Sequence, residues 1–345
     1  MKLLVVRLSS MGDVAMLAPV LHLLLDANQN LEITVLTKAP FDTFFYGHDR
    51  LNTAVIQHKS VHKGLVGLWR LTQWIAEQDY DYIVDVHDNL RSRIICAFGR
   101  WRGMQYARFD KGRKEKNRMV KEGYNHRRQT LQHTCDRYLN TFVRLGLSAG
   151  DRYRPVPPPC EISLDLEEDI RKLTGGADHI IGVAPFAAHD SKVYPAEKLT
   201  VALKALALKY KVRFLLFGGR NEQPMLQNMA SAIGNATCLP NHLTLADELC
   251  VISRIDLMIA MDSANMHMAA ILGKRVVSIW GGTHPAMGFS PLFNEDGIIQ
   301  ADLDCRPSTV YGKVKQDSDR KCAQQAFDAV NPIEITSRVS KWLDQ

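Results

Sequence analysis

Three observations predict an α/β protein built from two Rossmann-like domains, each a parallel sheet flanked by helices. Short apolar runs alternate with stretches of helical spacing along most of the chain, the pattern of a doubly wound sheet. Gly150, Pro155, Pro157, Pro158 and Pro159 form a stiff break, after which the alternation restarts. Small, polar and charged residues cluster directly after the apolar runs, at the sheet edge where open α/β folds hold ligands. The expected domains are 1–155 and 160–331, followed by an amphipathic helix over 332–345. A length of 345 residues suits two cores better than one.

The first domain opens with an apolar strand, Lys2 to Leu8, ending in Ser9-Ser10-Met11-Gly12-Asp13. Val14, Leu17, Ala18, Leu21, Leu24 and Leu25 then recur at helical spacing, with Pro19 early enough that its missing N–H costs little. Two hydroxyls, a glycine and a carboxylate thus stand at a strand's C-terminal edge; Gly12-Asp13 also suits a plain turn and cap. Strands are expected over 32–37, 54–57, 82–86 and 104–109, with helices from Phe41, around 65–75, over 90–98 and over 129–145. His87-Asp88 follows the strand over 82–86, where it can touch a ligand or simply bond locally.

After the break, a strand over 180–184 leads to Pro185-Phe-Ala-Ala-His-Asp-Ser-Lys192-Val-Tyr-Pro195, whose last proline suits a first helical position. A strand over 212–217 ends at Gly218-Gly219-Arg220-Asn221-Glu222. No third glycine completes a dinucleotide fingerprint there. The centre of the domain is Asp256 to Thr283. Leu257–Met261 reads as a buried strand, Asp262-Ser263 as helix-capping residues, and His267 to Leu272 as a helix ended by Gly273. Val276–Trp280 is the next strand and stops at Gly281-Gly282-Thr283. A capped helix start at a strand's end offers free N–H groups and a positive dipole to a phosphate. Asp262 as a mere cap and His267 as a mere packing residue fit the same spacing.

Hydrophobic residues at 46% and charged residues at 23% describe a globular chain with no run long enough to span a membrane. Arg7 and Asp13 come too early for a signal peptide, so a cytoplasmic location is expected. Seven cysteines, odd in number and without a Cys-x-x-Cys pair, argue against a disulfide framework or a structural zinc site. The net charge of +6 is concentrated between Arg100 and Arg128, either a solvated loop or a patch for an anionic partner.

Four of these edges, in order, resemble the motifs of glycosyltransferase family 9, which contains the ADP-heptose:lipopolysaccharide heptosyltransferases. Arg7-Leu-Ser-Ser-Met-Gly-Asp13 resembles the opening motif, a basic residue before Ser-Ser-x-Gly-Asp. Pro185 to Pro195 is similar to Pro-Gly-Ala-Ser followed by Lys-x-Trp-Pro, with Phe186 for the glycine and Tyr194 for the tryptophan. Gly218 to Glu222 resembles Gly-Gly-x-x-Glu. Asp262 to Ala270 with Gly281 to Pro285 resembles the donor signature, with Ala264 for a glycine and His284 for the usual acidic residue.

The resemblance implies a GT-B architecture, two Rossmann-like domains facing a cleft, with the 332–345 helix crossing back onto the first. It implies inverting transfer of a heptose from a nucleotide-diphospho-sugar, ADP-heptose, to a lipopolysaccharide inner-core acceptor. Asp13 is the implied base, and Lys192 the residue that meets the donor diphosphate as it departs. Donor contacts are implied for Ser9, Ser10, Gly12, Gly218, Gly219, Glu222 (on the ribose), Asp262, Ser263, Ala264, His267 and Thr283. Arg7, His87, Lys111 and Arg113 are the acceptor candidates. No cofactor or metal is expected, because the nucleotide sugar is a substrate. The expected partners are that donor, an anionic glycolipid and the inner face of the cytoplasmic membrane, not nucleic acid. The alternatives are another sugar or acceptor within the family and, from other classes, a non-catalytic binder of anionic polymer or a dehydrogenase. The dehydrogenase lacks its Gly-x-Gly-x-x-Gly turn.

Overall fold

The alternation read from the sequence resolves into two separate all-parallel sheets. The structure, a computed structural model, describes residues 1–57, 61–123, 130–159 and 164–345. Within the first half the elements are β1 (Lys2–Val6), α1 (Met11–Ala15), α2 (Ala18–Ala27), β2 (Glu32–Thr37), β3 (Leu51–Val55), α3 (Gly64–Glu77), β4 (Tyr82–Asp85), α4 (Leu90–Trp101), β5 (Gln105–Arg108), α5 (Arg113–Glu122) and α6 (Thr134–Val143). The five strands run in the order β3-β2-β1-β4-β5, so β1 is central and its C-terminal end lies at the crossover point. Leu4 and Val6 of β1 pack with Ile83 of β4 beneath Leu71 and Ile75 of α3 and Ile95 and Cys96 of α4, one face of the sheet. Helices α2 and α6 pack on each other.

The second half holds α7 (Leu164–Thr174), β6 (His179–Ala184), α8 (Ala196–Lys209), β7 (Val212–Leu216), α9 (Gln223–Ile233), β8 (Ala236–Cys238), α10 (Leu245–Arg254), β9 (Leu257–Met261), α11 (Ala264–Ile271), β10 (Arg275–Trp280), β11 (Ile298–Gln300), α12 (Asp317–Ala329) and α13 (Pro332–Leu343). Its sheet runs β11-β10-β9-β6-β7-β8. All five residues of β9 are buried, which is why that strand reads as an unbroken apolar run.

Three expectations are corrected. The first unit comprises residues 1–112 and 132–159, because residues 113–131 belong with the second unit. Helix α5 is held there through Lys116, only 4% exposed, whose ammonium lies 5.2 Å from the Phe289 ring centre and 5.8 Å from that of Tyr311. Met119 is buried beside it, and the Leu131 N–H donates to the Ala286 carbonyl at 2.7 Å. A helix docked through a cation over aromatic rings leaves little apolar periodicity to read.

The C-terminal helix, expected on the first domain, packs on α8. Ile335 and Val339 enter the core that holds Leu203 and Leu206, and Asp344 accepts from Tyr210 Oη at 2.6 Å. Its start is well specified: Asn331 Oδ1 accepts from the Ile333 N–H, and Glu334 accepts from the Asn331 N–H. Finally, Cys305 and Cys322 form a disulfide across 17 positions. Cys250 is disulfide-bonded as well, and an odd total says nothing about pairs that tertiary packing brings together, so the argument against a framework misses them.

Candidate active site

In the first unit, β1 delivers Arg7 to the sheet edge almost fully buried. Its guanidinium donates to the Val86 carbonyl, lies 2.7 Å from Asp13 Oδ2, and sits 5.7 Å from the centre of the Tyr138 ring. Each group returns part of the solvation that burial removes. Asp13 stands in the first turn of α1, where its carboxylate accepts from the Ser10 N–H at 3.3 Å and from Ser10 Oγ at 2.6 Å. It therefore caps the helix, as the plain reading holds, and yet its side chain stays 37% exposed against 4% for Arg7. Capping and chemistry are compatible: the carboxylate is fixed from behind and open in front.

Beyond β4, the buried Asp85 shapes the next loop. It accepts from the His87 N–H at 3.0 Å, the Asp88 N–H at 2.7 Å and Ser92 Oγ at 3.0 Å. The His87 ring is pushed down to about 4 by burial and then by the Arg7 and Lys111 cations, against a hydrogen bond to the Ser9 backbone and the charge of Asp13. It is a neutral imidazole near pH 7, and its buried Nδ1 has no hydrogen-bond partner among the described residues. Asp88, held at φ +52°, is 2.8 Å from Arg93 and 3.9 Å from Arg108, and its carbonyl accepts from Lys111 at 3.4 Å. Ser9, Ser10, Asp13, Arg7, His87 and Lys111 thus share one edge. Arg113 begins α5, which belongs to the second unit. Of the basic run, Lys111 to Glu122 is placed, whereas Arg127 and Arg128 lie outside the described residues.

In the second unit, β9 carries Asp262 to the edge, 3% exposed. Its Oδ2 lies 2.9 Å from Lys192 Nζ and accepts from Thr283 Oγ1 at 2.7 Å. Side-chain exposures of 14% and 5% make this a largely dry ion pair, so the threonine bond matters. Ser263 is the N-cap of α11 but makes no capping bond, and its buried Oγ has no partner among the described residues. It sits among the unpaired N–H groups of a helix start. His267 lies buried one turn further on. Gly218, Gly219 and Glu222 occupy the end of β7, two strands along the same sheet from β9. Glu222 accepts from the Gly219 N–H at 2.6 Å, and a Cβ on Gly218 would come within 2.8 Å of that carboxylate.

Arg306 is a residue that the sequence did not disclose. It is fully buried and donates to the carbonyls of Gly281 at 2.6 Å, Thr283 at 2.7 Å and Ala301. The same loop is tied by the Ser308 and Thr309 N–H groups to the Gly282 carbonyl, and by the Gly282 N–H to Ser191. Ser191 Oγ in turn donates to Gly312 at 2.6 Å, and a side chain at Gly312 (φ +92°) would collide with Lys192. Three distant segments thus position Lys192 and Thr283. An arginine in an irregular polar stretch has no periodicity to mark it. His284, where the family's usual pattern has an acid, is buried and held down to about 3 by burial and by Arg306, so a neutral ring stands there. Among the described residues no group of three or more His, Cys, Asp or Glu is arranged to hold a metal.

Two parallel α/β units with polar clusters at their strand ends define the GT-B class of fold, and solved structures agree. A family 9 glycosyl transferase from Veillonella parvula superposes with a TM-score of 0.74 at 19% identity, over 99% of this chain and 97% of the other. The E. coli ADP-heptose lipopolysaccharide heptosyltransferase II gives 0.70 at 16%, over 99% and 98%. Lipopolysaccharide heptosyltransferase 1 of Campylobacter coli is 23% identical over 308 residues, 82% of this chain and 84% of the relative. The chain belongs to glycosyltransferase family 9 (heptosyltransferase), whose profile matches residues 68–318. It is a glycosyltransferase. The matched span covers the second-unit motifs from Lys192 to Thr283 and leaves the Arg7–Asp13 edge outside.

Proposed function

We propose that this enzyme transfers a heptose from ADP-heptose, with inversion, to the inner core of a lipopolysaccharide acceptor on the cytoplasmic side of the membrane. The observation that carries the donor half is the Lys192–Asp262–Thr283 cluster beside the start of α11, with Ser263 Oγ unengaged. A buried cation, an unspent hydroxyl and free helix N–H groups suit a diphosphate. The named activity of the Campylobacter coli relative supports the sugar and the acceptor, and an E. coli heptosyltransferase of like fold was solved with ADP.

In this reading the acceptor hydroxyl attacks the anomeric carbon from the face opposite the diphosphate and loses its proton to Asp13. The new C–O bond forms as the bond to the diphosphate oxygen breaks, and the electron pair leaves with ADP. Lys192 and the N–H groups at Ser263 and Ala264 stabilise that charge. Asp262 and Thr283 hold the lysine, Glu222 takes the ribose, and Arg7, His87 and Lys111 take the acceptor. Calorimetry with ADP and with adenosine tests the donor half. Lys192→Ala should weaken ADP by about 10- to 100-fold, the worth of one charge-assisted contact, and adenosine hardly at all. Equal losses for the two ligands would remove Lys192 from the diphosphate. Turnover of ADP-heptose to a product of unchanged anomeric configuration would remove inversion, and turnover of only another nucleotide sugar would assign a different donor.

A further inference from the structure

The outward face of α3 and α4 in the first unit is not used by the reaction. Among the described residues seventeen large apolar side chains are exposed, and six lie on these two helices: Leu65, Val66 and Trp69 on α3, and Leu90, Ile94 and Trp101 on α4. Leu90, Ile94 and Trp101 recur at i, i+4 and i+11, and Leu65 and Trp69 at i, i+4, so each set forms one stripe. Both helices cover the same face of the sheet and pack on each other, and Arg91 Nη2 ties the start of α4 to the His62 carbonyl at 3.1 Å, just ahead of α3. Leu90, at 77% exposed, and Trp101, at 78%, are far beyond the exposure of an accidental surface hydrophobe at a core margin.

Positive charge predominates beside this stripe, opposed by Glu77 at the end of α3 and by Asp88 in the loop before α4, which pairs with Arg93. Helix α4 carries Arg91, Arg93 and Arg100 and no carboxylate, and Arg102 follows at its C-cap. At its C-terminal end a hollow of about 490 Å³ is lined by Arg93, Arg100 and Arg108 with Trp101 and Tyr106. Aromatic and aliphatic side chains next to arginines suit the boundary between headgroups and acyl chains, where rings insert and guanidinium groups meet phosphate. A second copy of this chain would bring one arginine-rich helix against another in an isologous contact, which opposes that occupant.

We propose that the α3–α4 face is the surface by which the first unit docks on a bilayer containing anionic phospholipid. This rests on the reading of a membrane-embedded acceptor and specifies where the membrane is met. Leu65, Val66, Trp69, Leu90, Ile94 and Trp101 enter the interface, and the arginine-lined hollow takes a lipid phosphate.

Vesicle flotation of the full chain tests it, with phosphatidylglycerol:phosphatidylethanolamine vesicles, phosphatidylcholine vesicles, and no acceptor present. Wild type should float with the anionic vesicles, less so in high salt, and at least tenfold less with phosphatidylcholine. Leu65→Ser/Trp69→Ser/Leu90→Ser/Trp101→Ser should lose flotation at least tenfold, and Arg70→Ser/Arg100→Ser/Arg102→Ser should lose its salt-sensitive part. Both variants should keep the wild-type circular dichroism and the wild-type rate on a deacylated, soluble acceptor, while slowing on acceptor embedded in vesicles. Flotation equal in wild type and variants overturns the proposal, as does a wild type that does not float. A wild-type dimer that the apolar variant dissociates also overturns it, by assigning the face to a second copy. Failure on the soluble acceptor alone, with flotation intact, would count against the acceptor reading and leave the surface standing.

Discussion

The two candidate edges hold their charges in opposite ways. Around Asp13 the buried partner is the cation: Arg7 is sealed beneath the surface and the carboxylate stays open. Around Lys192 both partners are nearly dry, and hydrogen bonds from the Ser308 and Thr309 N–H groups and the Arg306 guanidinium, with one accepted by the Ser191 carbonyl, lock the loop that surrounds them. An open, backed carboxylate suits proton transfer with an exchanging acceptor. A locked cation suits repeated binding of one unchanging group, a diphosphate. Substitutions in the first edge should therefore act on rate, and those in the second on affinity and stability.

Asp13→Asn presses hardest on that contrast. It keeps an oxygen for the Ser10 bonds while removing the basic site, so kcat should fall by about 1,000-fold, the usual worth of a general base. The ADP dissociation constant should stay within twofold of wild type. Near-normal turnover would deny Asp13 the proton, and a lost donor affinity would erase the distinction between the edges.

Arg306→Met probes the locked edge. Three carbonyls lose their donor in a buried loop. The cost should be about 3 kcal/mol, or about 10 °C in the melting transition that reports the second unit. ADP binding should weaken with it, because Thr283 and Asp262 are no longer held. An unchanged melting temperature would mean that water replaces the guanidinium without loss.

The smallest effect concerns His87. Its folded value of about 4 lies below the ordinary 6.5, so the unfolded chain binds more protons between those limits. Stability should thus rise with pH from about 4 to 6.5 and be level above it, with His87 contributing on the order of 2 kcal/mol of the rise. His87→Gln should flatten the slope of unfolding free energy in that window. A slope equal to wild type would mean that other groups carry it.

What the sequence disclosed divides along physical lines. Strands β1, β6, β7 and β9 are short apolar runs, buried on both faces, and their C-terminal ends can be read directly. Asp13, Lys192, Asp262 and Thr283 follow those ends by one to a few residues or by a recognisable motif. Arg306 and Cys305 lie in irregular chain between β11 and α12, where contacts, including the bond from Cys305 to Cys322 of α12, are set by tertiary packing alone. Helix α5 shows the same limit from another side. Ten residues with only Met119 and Val120 as apolar members carry no address, and their destination is settled by Phe289 and Tyr311, far along the chain. The amphipathic α13 was readable as a helix, but its stripe of Ile335 and Val339 could not name α8 as its partner.

The detour of α5 has a consequence for anyone cutting this protein in two. A break at the prolines between 155 and 160 looks like a clean seam, yet a fragment starting there lacks the helix that covers Phe289 and Tyr311. On the ribosome the order is reversed: α5 emerges long before the rings it rests on and must wait, as a charged and solvated segment, for them to be made. The second unit is therefore completed by a piece of chain from the other side of the seam. A soluble version of that unit should be built by joining residues 113–131 to it, not by trimming at the prolines.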